Sequence, residues 1–197
     1  MGRSKTYDRD TVLRKAMALF WTQGYSATST KALAAHMGIN VYSLFAEFES
    51  KQGLYEAALT LYRREVVASI FAALDRADAG LEEILDLLQF FVERACAPGA
   101  NRGCLATNAA CERAAADPAS QAYFAEHVER IETLLRKALV NAQARGQVRP
   151  DVSCVDQARL LAMVVLGFTV SMRAGVDGER VVGAARAARG DLLRLRT

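Results

Sequence analysis

Four cysteines and two histidines are the side chains in this sequence best suited to thiol, redox or soft-metal chemistry. Cys104, Asn108 and Cys111 stand at i, i+4 and i+7, which on a helix beginning at Cys104 is one face carrying two thiols and an amide. In the first turn of such a helix the dipole favours a thiolate, and Arg102 adds a positive charge beside it. A thiol placed there is expected to react first with oxidants or electrophiles; the competing reading is a cysteine that only fills core space. Cys96 and Cys154 stand apart, and no spacing gives the close pairs of a zinc site, so no metal and no cofactor is expected. Neither His36 nor His127 lies near a cysteine or serine in a recognisable signature. A Gly-rich phosphate loop and a G-x-S-x-G elbow are both missing. The chain is therefore expected not to be an enzyme.

Phosphate binding is the other chemistry on offer. Residues 1–46 hold Arg3, Lys5, Arg9, Arg14, Lys15 and Lys31 against Asp8 and Asp10, a balance of +4, while the whole chain of 197 residues carries +3. The positive field sits at one end, where a nucleic-acid backbone would be met. Lys51 stands in the first turn of a helix capped by Ser50, a poor place for a cation unless an external anion faces it.

These residues need elements to hold them. Thr28 to Phe48, TSTKALAAHMGINVYSLFAEF, reads as two short helices and a tight turn. Thr28 is the expected cap of the first helix, with Leu33, Ala34 and Met37 on its inner face; Gly38 ends it and Asn40 caps the second. In the second helix Leu44, Phe45 and Phe48 form the expected inward stripe, leaving Val41, Tyr42, Ser43, Ala46 and Glu47 on the remaining surface. Such a pair is the unit that places its second helix in a DNA major groove. An amphipathic helix over Arg9–Gln23, with Val12, Ala16, Leu19 and Phe20 inside, would cover it. A helix of more than twenty residues follows from Ser50, then a break over Asp75–Gly80. Further helices are expected over Leu81–Cys96, Cys104–Ala115, Asp117–Arg145, Val155–Arg173 and Asp177–Leu195. No stretch alternates with a period of two for long, so the fold is expected to be all-α. The N-terminus lacks an apolar segment and no apolar run is judged long enough to cross a membrane, so no membrane association and a cytoplasmic location are expected.

The first quarter of the chain resembles the DNA-binding region of TetR-family transcriptional regulators. The matching residues are Gly24, Tyr25 and Thr28, then Leu33, Ala34, Gly38 and Ile39, then Ser43, Leu44, Phe45 and Phe48, then Ser50 and Lys51. The resemblance implies an N-terminal three-helix helix-turn-helix domain over 1–50 and a helical regulatory and dimerisation domain over 51–197. It implies that Thr30, Lys31, Val41, Tyr42, Ser43, Phe45 and Lys51 form the surface for a double-stranded DNA operator. Lys31 would reach a guanine or phosphate, Val41 and Tyr42 a thymine methyl, Ser43 and Lys51 the backbone. Phe45 replaces a tyrosine whose hydroxyl reaches DNA in the family, and Glu47 sets a negative charge on a face that often meets phosphate; both point to weaker operator binding.

Arg102, Gly103, Cys104, Leu105, Asn108, Glu112, Asp117 and Pro118 are similar to an R-G-C-L-x-x-N-x-x-x-E…D-P segment of one subgroup. The resemblance thus implies a repressor released from a palindromic operator by a small-molecule or thiol-reactive inducer of unknown identity. Tyr62, Phe91, Cys104, Asn108, Cys111 and Phe168 are the candidate ligand or sensor residues. A homodimer is expected through the last two helices, where Val181, Val182, Ala185, Leu192 and Leu193 add apolar surface to a nearly all-apolar neighbour. The alternative from another class is a dimeric helical small-molecule or electrophile-binding protein with weak DNA binding.

Overall fold

A computed structural model describes residues 7–113 and 117–197, so the basic arm with Arg3 and Lys5 and the end of the helix expected over 104–115 lie outside the described residues. The described residues contain helices and no strand. The chain divides after Ser69 into two compact units.

In the first unit α1 (Arg9–Gln23) packs along α4 (Lys51–Tyr62) and against α2 (Thr30–Met37), with α3 (Val41–Phe48) held between α2 and α4. The boundary drawn at 50/51 falls at the start of α4, whereas the division by contacts falls nineteen residues later. The reason is that Leu54, Tyr55 and Ala58 of α4 are buried in the first unit's core, with Tyr55 edge-on to Phe20 of α1 at 4.9 Å. The long helix expected from Ser50 does not run unbroken. It winds into a π turn over Arg63–Val67, continues through α5 (Ala68–Ile70), and breaks at Phe71 before α6 (Ala72–Asp75). Glu65 in the π turn takes two hydrogen bonds from Arg14 of α1, at 3.0 and 2.9 Å. That fork lowers the Glu65 pKa and raises that of Arg14, the side-chain hydrogen bond being the main cause of each shift.

The second unit is built on longer helices: α7 (Leu81–Cys96), α8 (Leu105–Arg113), α9 (Pro118–Ala144), α10 (Cys154–Arg173) and α11 (Gly178–Leu193). α10 packs on α9, α11 on α7, and α8 against both α9 and α10. Asp117 caps α9 ahead of Pro118, as the sequence suggests, because proline has no amide to leave unpaired in the first turn. The Asp75–Gly80 break is strapped to α9: Arg130 pairs with Asp75 at 2.8 Å, and Asn141 donates to the carbonyls of Ala77 and Ala79.

Two expectations change here. α10 is in fact long and apolar enough to cross a membrane, 20 residues containing an 18-residue window of mean hydropathy 1.4, because its charges cluster near its start and end. Ala158, Leu161, Ala162, Val165, Phe168 and Met172 nonetheless form a buried face within this unit. The surplus apolar surface expected on the last two helices lies mostly on α10, with Leu193 of α11 also exposed. Val181, Ala185 and Leu192 are buried, while Leu160, Met163 and Val170 of α10 are exposed by 56, 51 and 44%.

Candidate functional site

The segment expected to form the helix-turn-helix is assembled from short helices fixed at both ends. Ser29, not Thr28, caps α2: its hydroxyl accepts the Ala32 amide at 3.1 Å. Thr28 is wholly buried and donates to the Gly24 carbonyl at 2.6 Å, closing the loop between α1 and α2. Gly38 closes α2 in the left-handed conformation, and the Asn40 carboxamide oxygen accepts the Ser43 amide at 2.7 Å to open α3.

At the far end of α3 the chain turns sharply. Glu49 has φ +64°, and the Ser50 amide donates back to the Phe48 carbonyl at 2.6 Å. A Cβ at position 53 would lie 2.4 Å from that same carbonyl oxygen, so only glycine lets α4 start this close to α3.

On α3 the inward residues are Leu44 and Phe48, joined not by Phe45 but by Glu47. Phe45 is 41% exposed, on the outer face with Val41 and the 84%-exposed Tyr42. The Glu47 side chain is only 7% exposed and takes a hydrogen bond from Arg9 Nε of α1 at 2.8 Å, so it is not a free charge on the outer face. Lys31 is exposed on α2, and Thr30 and Ser43 are half-buried in the first turns of their helices. Lys51 is held with its Nζ 4.1 Å from the centroid of the Tyr25 ring, itself packed on Phe20 and Tyr55. All seven predicted DNA-surface residues belong to the first unit. Val41, Tyr42 and Phe45 form a continuous apolar strip, suited to thymine methyls, on a positively charged unit.

The candidate sensor residues do not come together as one set. Tyr62 is buried in the first unit, edge-on to Trp21 at 4.9 Å. Phe91 and Phe168 are buried against each other in the second, their centroids 5.6 Å apart. Cys104 does not open α8 from within but precedes Leu105, its carbonyl accepting the Asn108 amide at 2.9 Å. It is buried while Cys111 is exposed, so the two thiols occupy different environments. The Asn108 carboxamide donates to the Arg102 carbonyl at 2.9 Å, fastening the loop to α8. A Cβ at Gly103 would meet the Thr169 carbonyl of α10 at 2.7 Å, so this glycine seats the loop directly on α10.

The sequence did not indicate what faces Cys104. Its Sγ lies 3.8 Å from Nε2 of His127 on α9, a long hydrogen bond between two buried groups. The signal existed: His127 begins the inward row continued by Ile131, Leu134 and Ala138. Beside it the buried hydroxyls of Thr107 and Thr169 lie 3.2 Å apart, and since Thr169 donates to the Leu166 carbonyl, Thr107 is the donor between them. Burial raises the pKa of Cys154, whose thiol donates to Gln143, which makes it a poor nucleophile. No group of three metal-ligating side chains is found among the described residues.

Comparison with known proteins agrees with this layout. Residues 12–58 match the model for bacterial regulatory proteins of the tetR family, and residues 80–188 match a tetracyclin repressor-like C-terminal domain. The chain is 32% identical over 186 residues to the HTH-type transcriptional repressor ComR of Escherichia coli, covering 93% of this chain and 88% of that protein. A cysteine-substituted form of the regulator CifR, solved in complex with a 26-base-pair double-stranded operator DNA, superposes with a TM-score of 0.80 at 30% identity over the full length of both chains. The reduced form of E. coli NemR shares the fold, with a TM-score of 0.80 at 17% identity over 96% of each chain.

Proposed function

The chain belongs to the TetR family of bacterial regulatory proteins, and from that premise we propose that it is a transcriptional repressor which grips a palindromic operator as a homodimer and is released by chemistry at Cys104. The observation that carries the DNA reading is the outer face of α3. An eight-residue helix capped by Asn40 presents Val41, Tyr42 and Phe45 to solvent, and such a face on so short a helix has no use inside the unit. These three contact base edges, Lys31 reaches a guanine or phosphate, and Thr30, Ser43 and Lys51 hold the backbone. The exposed apolar side of α10, where Gly167 leaves open space for a crossing helix, serves as the dimer seam. Action on chromosomal DNA places the protein in the cytoplasm, where its cysteines stay reduced until challenged.

Release is proposed to begin when an oxidant or electrophile modifies Cys104, with His127 accepting the thiol proton. The added group enlarges a buried side chain packed against His127 of α9, which pushes α8 and α9 apart. A small molecule that binds there without a bond is the competing inducer.

Sequencing DNA fragments retained by the purified full-length protein tests the DNA reading. Enrichment of a two-fold symmetric site is the expected result, and no enrichment over bulk DNA overturns it. With that site in hand, Lys51→Ala should lower affinity on all sequences and reduce the salt slope by about one. Cys104→Ser should abolish release by hydrogen peroxide or a quinone; release equal to the parent's removes the thiol step.

A further inference from the structure

We propose that Glu47 and Arg9 form a latch that sets the angle of α3 for sequence reading, so that the acidic residue on this helix strengthens operator recognition. The inference rests on the DNA-binding reading above. Its starting point is an inversion: on α3 the apolar Phe45 faces outward, 41% exposed, while the charged side chain of Glu47 is 7% exposed. An eight-residue helix oriented by hydrophobicity alone would turn the other way, with the phenyl ring in and the carboxylate out.

Glu47 is turned inward by Arg9, whose Nε lies 2.8 Å from its carboxylate and whose guanidinium carbon stands 5.2 Å from the centroid of the buried Phe48 ring. The neighbouring acids have other partners. Asp8 accepts the Thr11 amide and hydroxyl, and Asp10 lies 3.8 Å from Arg64. Arg9 opens α1, where the helix dipole disfavours a cation, and the Glu47 carboxylate compensates it there. Removing Arg9 takes this bond from the enclosed Glu47 carboxylate, removing Glu47 returns the half-exposed Arg9 side chain to water, and either change lets α3 roll toward its hydrophobic optimum. That roll would carry Phe45 off the outer face and misdirect Tyr42.

The opposite view, that Glu47 repels phosphate, makes a prediction of opposite sign. Operator and non-specific DNA affinities are to be measured for the full-length parent, Glu47→Gln, Arg9→Gln and the double variant. The latch requires Glu47→Gln to lower operator affinity roughly tenfold, the scale of one charged hydrogen bond, while non-specific affinity changes little. The operator to non-specific ratio therefore falls. The double variant should lose no more than either single one. A rise in affinity on both DNAs for Glu47→Gln, an equal fall on both, or additive losses in the double variant would overturn the latch.

Urea unfolding of the same four proteins separates this from the function itself. If the parent retains no DNA, the regulator reading fails, and the latch is then decided by whether the two substitutions couple in stability: coupling supports it, additivity sinks it.

Discussion

The two units differ in where their polar contacts other than ion pairs sit. In the first, they close the helix starts: Asp8, Ser29, Asn40 and Ser50 each accept an amide three residues ahead. In the second, the telling polar contacts are buried where helices cross, Cys104 with His127 and Thr107 with Thr169, residues 23 and 62 positions apart. A helix start closed by its own cap depends on residues three positions away and not on a neighbouring helix. A contact shared by two helices moves both when it changes, as a responsive element must. The contrast separates a part that holds geometry from a part that yields it.

The contrast can be broken most severely at Gly53. Gly53→Ala forces a methyl against the Phe48 carbonyl and should destabilise the first unit by about 2 kcal/mol with loss of operator binding, read by urea unfolding and fluorescence anisotropy. Next comes the shared contact. Thr169→Val strands the Thr107 hydroxyl in the core and should cost about 1–2 kcal/mol, whereas Thr107→Val with Thr169→Val should cost little more than the single change. Equal and additive losses would show that the two threonines do not act as a bridge.

The local counterpart is Asn40→Ala, expected to cost about 1 kcal/mol and to weaken operator binding. It should leave the rate of Cys104 alkylation, followed by mass spectrometry, unchanged.

The smallest effect concerns Asp117, where the second unit uses a cap of the local kind. The Ser120 hydroxyl above all, then Arg113 and the Ala119 amide, hold its pKa at about 2 against the opposing effect of burial. A carboxylate lowered in the folded state contributes stability that is complete above the unfolded-state pKa. That contribution is lost as pH falls from roughly 4 through about 2, and Asp117→Asn should flatten this part of the pH–stability curve.

Legibility in the sequence follows the same line. Most helix limits, the turn at Gly38 and the caps at Asn40, Ser50 and Asp117 could be read from neighbouring residues, because the interactions that fix them span three or four positions; the break at Phe71 could not. The misassigned cap at Thr28 shows the limit of that reading: a hydroxyl next to another hydroxyl is equally able to cap, and only the buried Gly24 carbonyl decides which one does. The roll of α3 was not legible, since Arg9 lies 38 residues from Glu47 and apolar spacing alone ranks Phe45 as core. The environment of Cys104 was half legible. Its place beside a helix start followed from the loop, but His127 is one of several residues on the inward row of α9, and the sequence does not say which of them meets α8.

The corner between α3 and α4 sets a condition on transplanting specificity. The outer face of α3 invites exchange with that of a relative to redirect the protein to another operator. Yet part of what fixes that helix is written after it ends, in the left-handed Glu49, the Ser50 hydroxyl and the bare backbone at Gly53. A graft that stops at Phe48 would import the letters of a new address on an unchanged mount, whereas one that replaces Gly53 would keep the letters and tilt the page. The exchangeable unit therefore runs from Asn40 through Gly53, with Arg9 kept wherever Glu47 is kept.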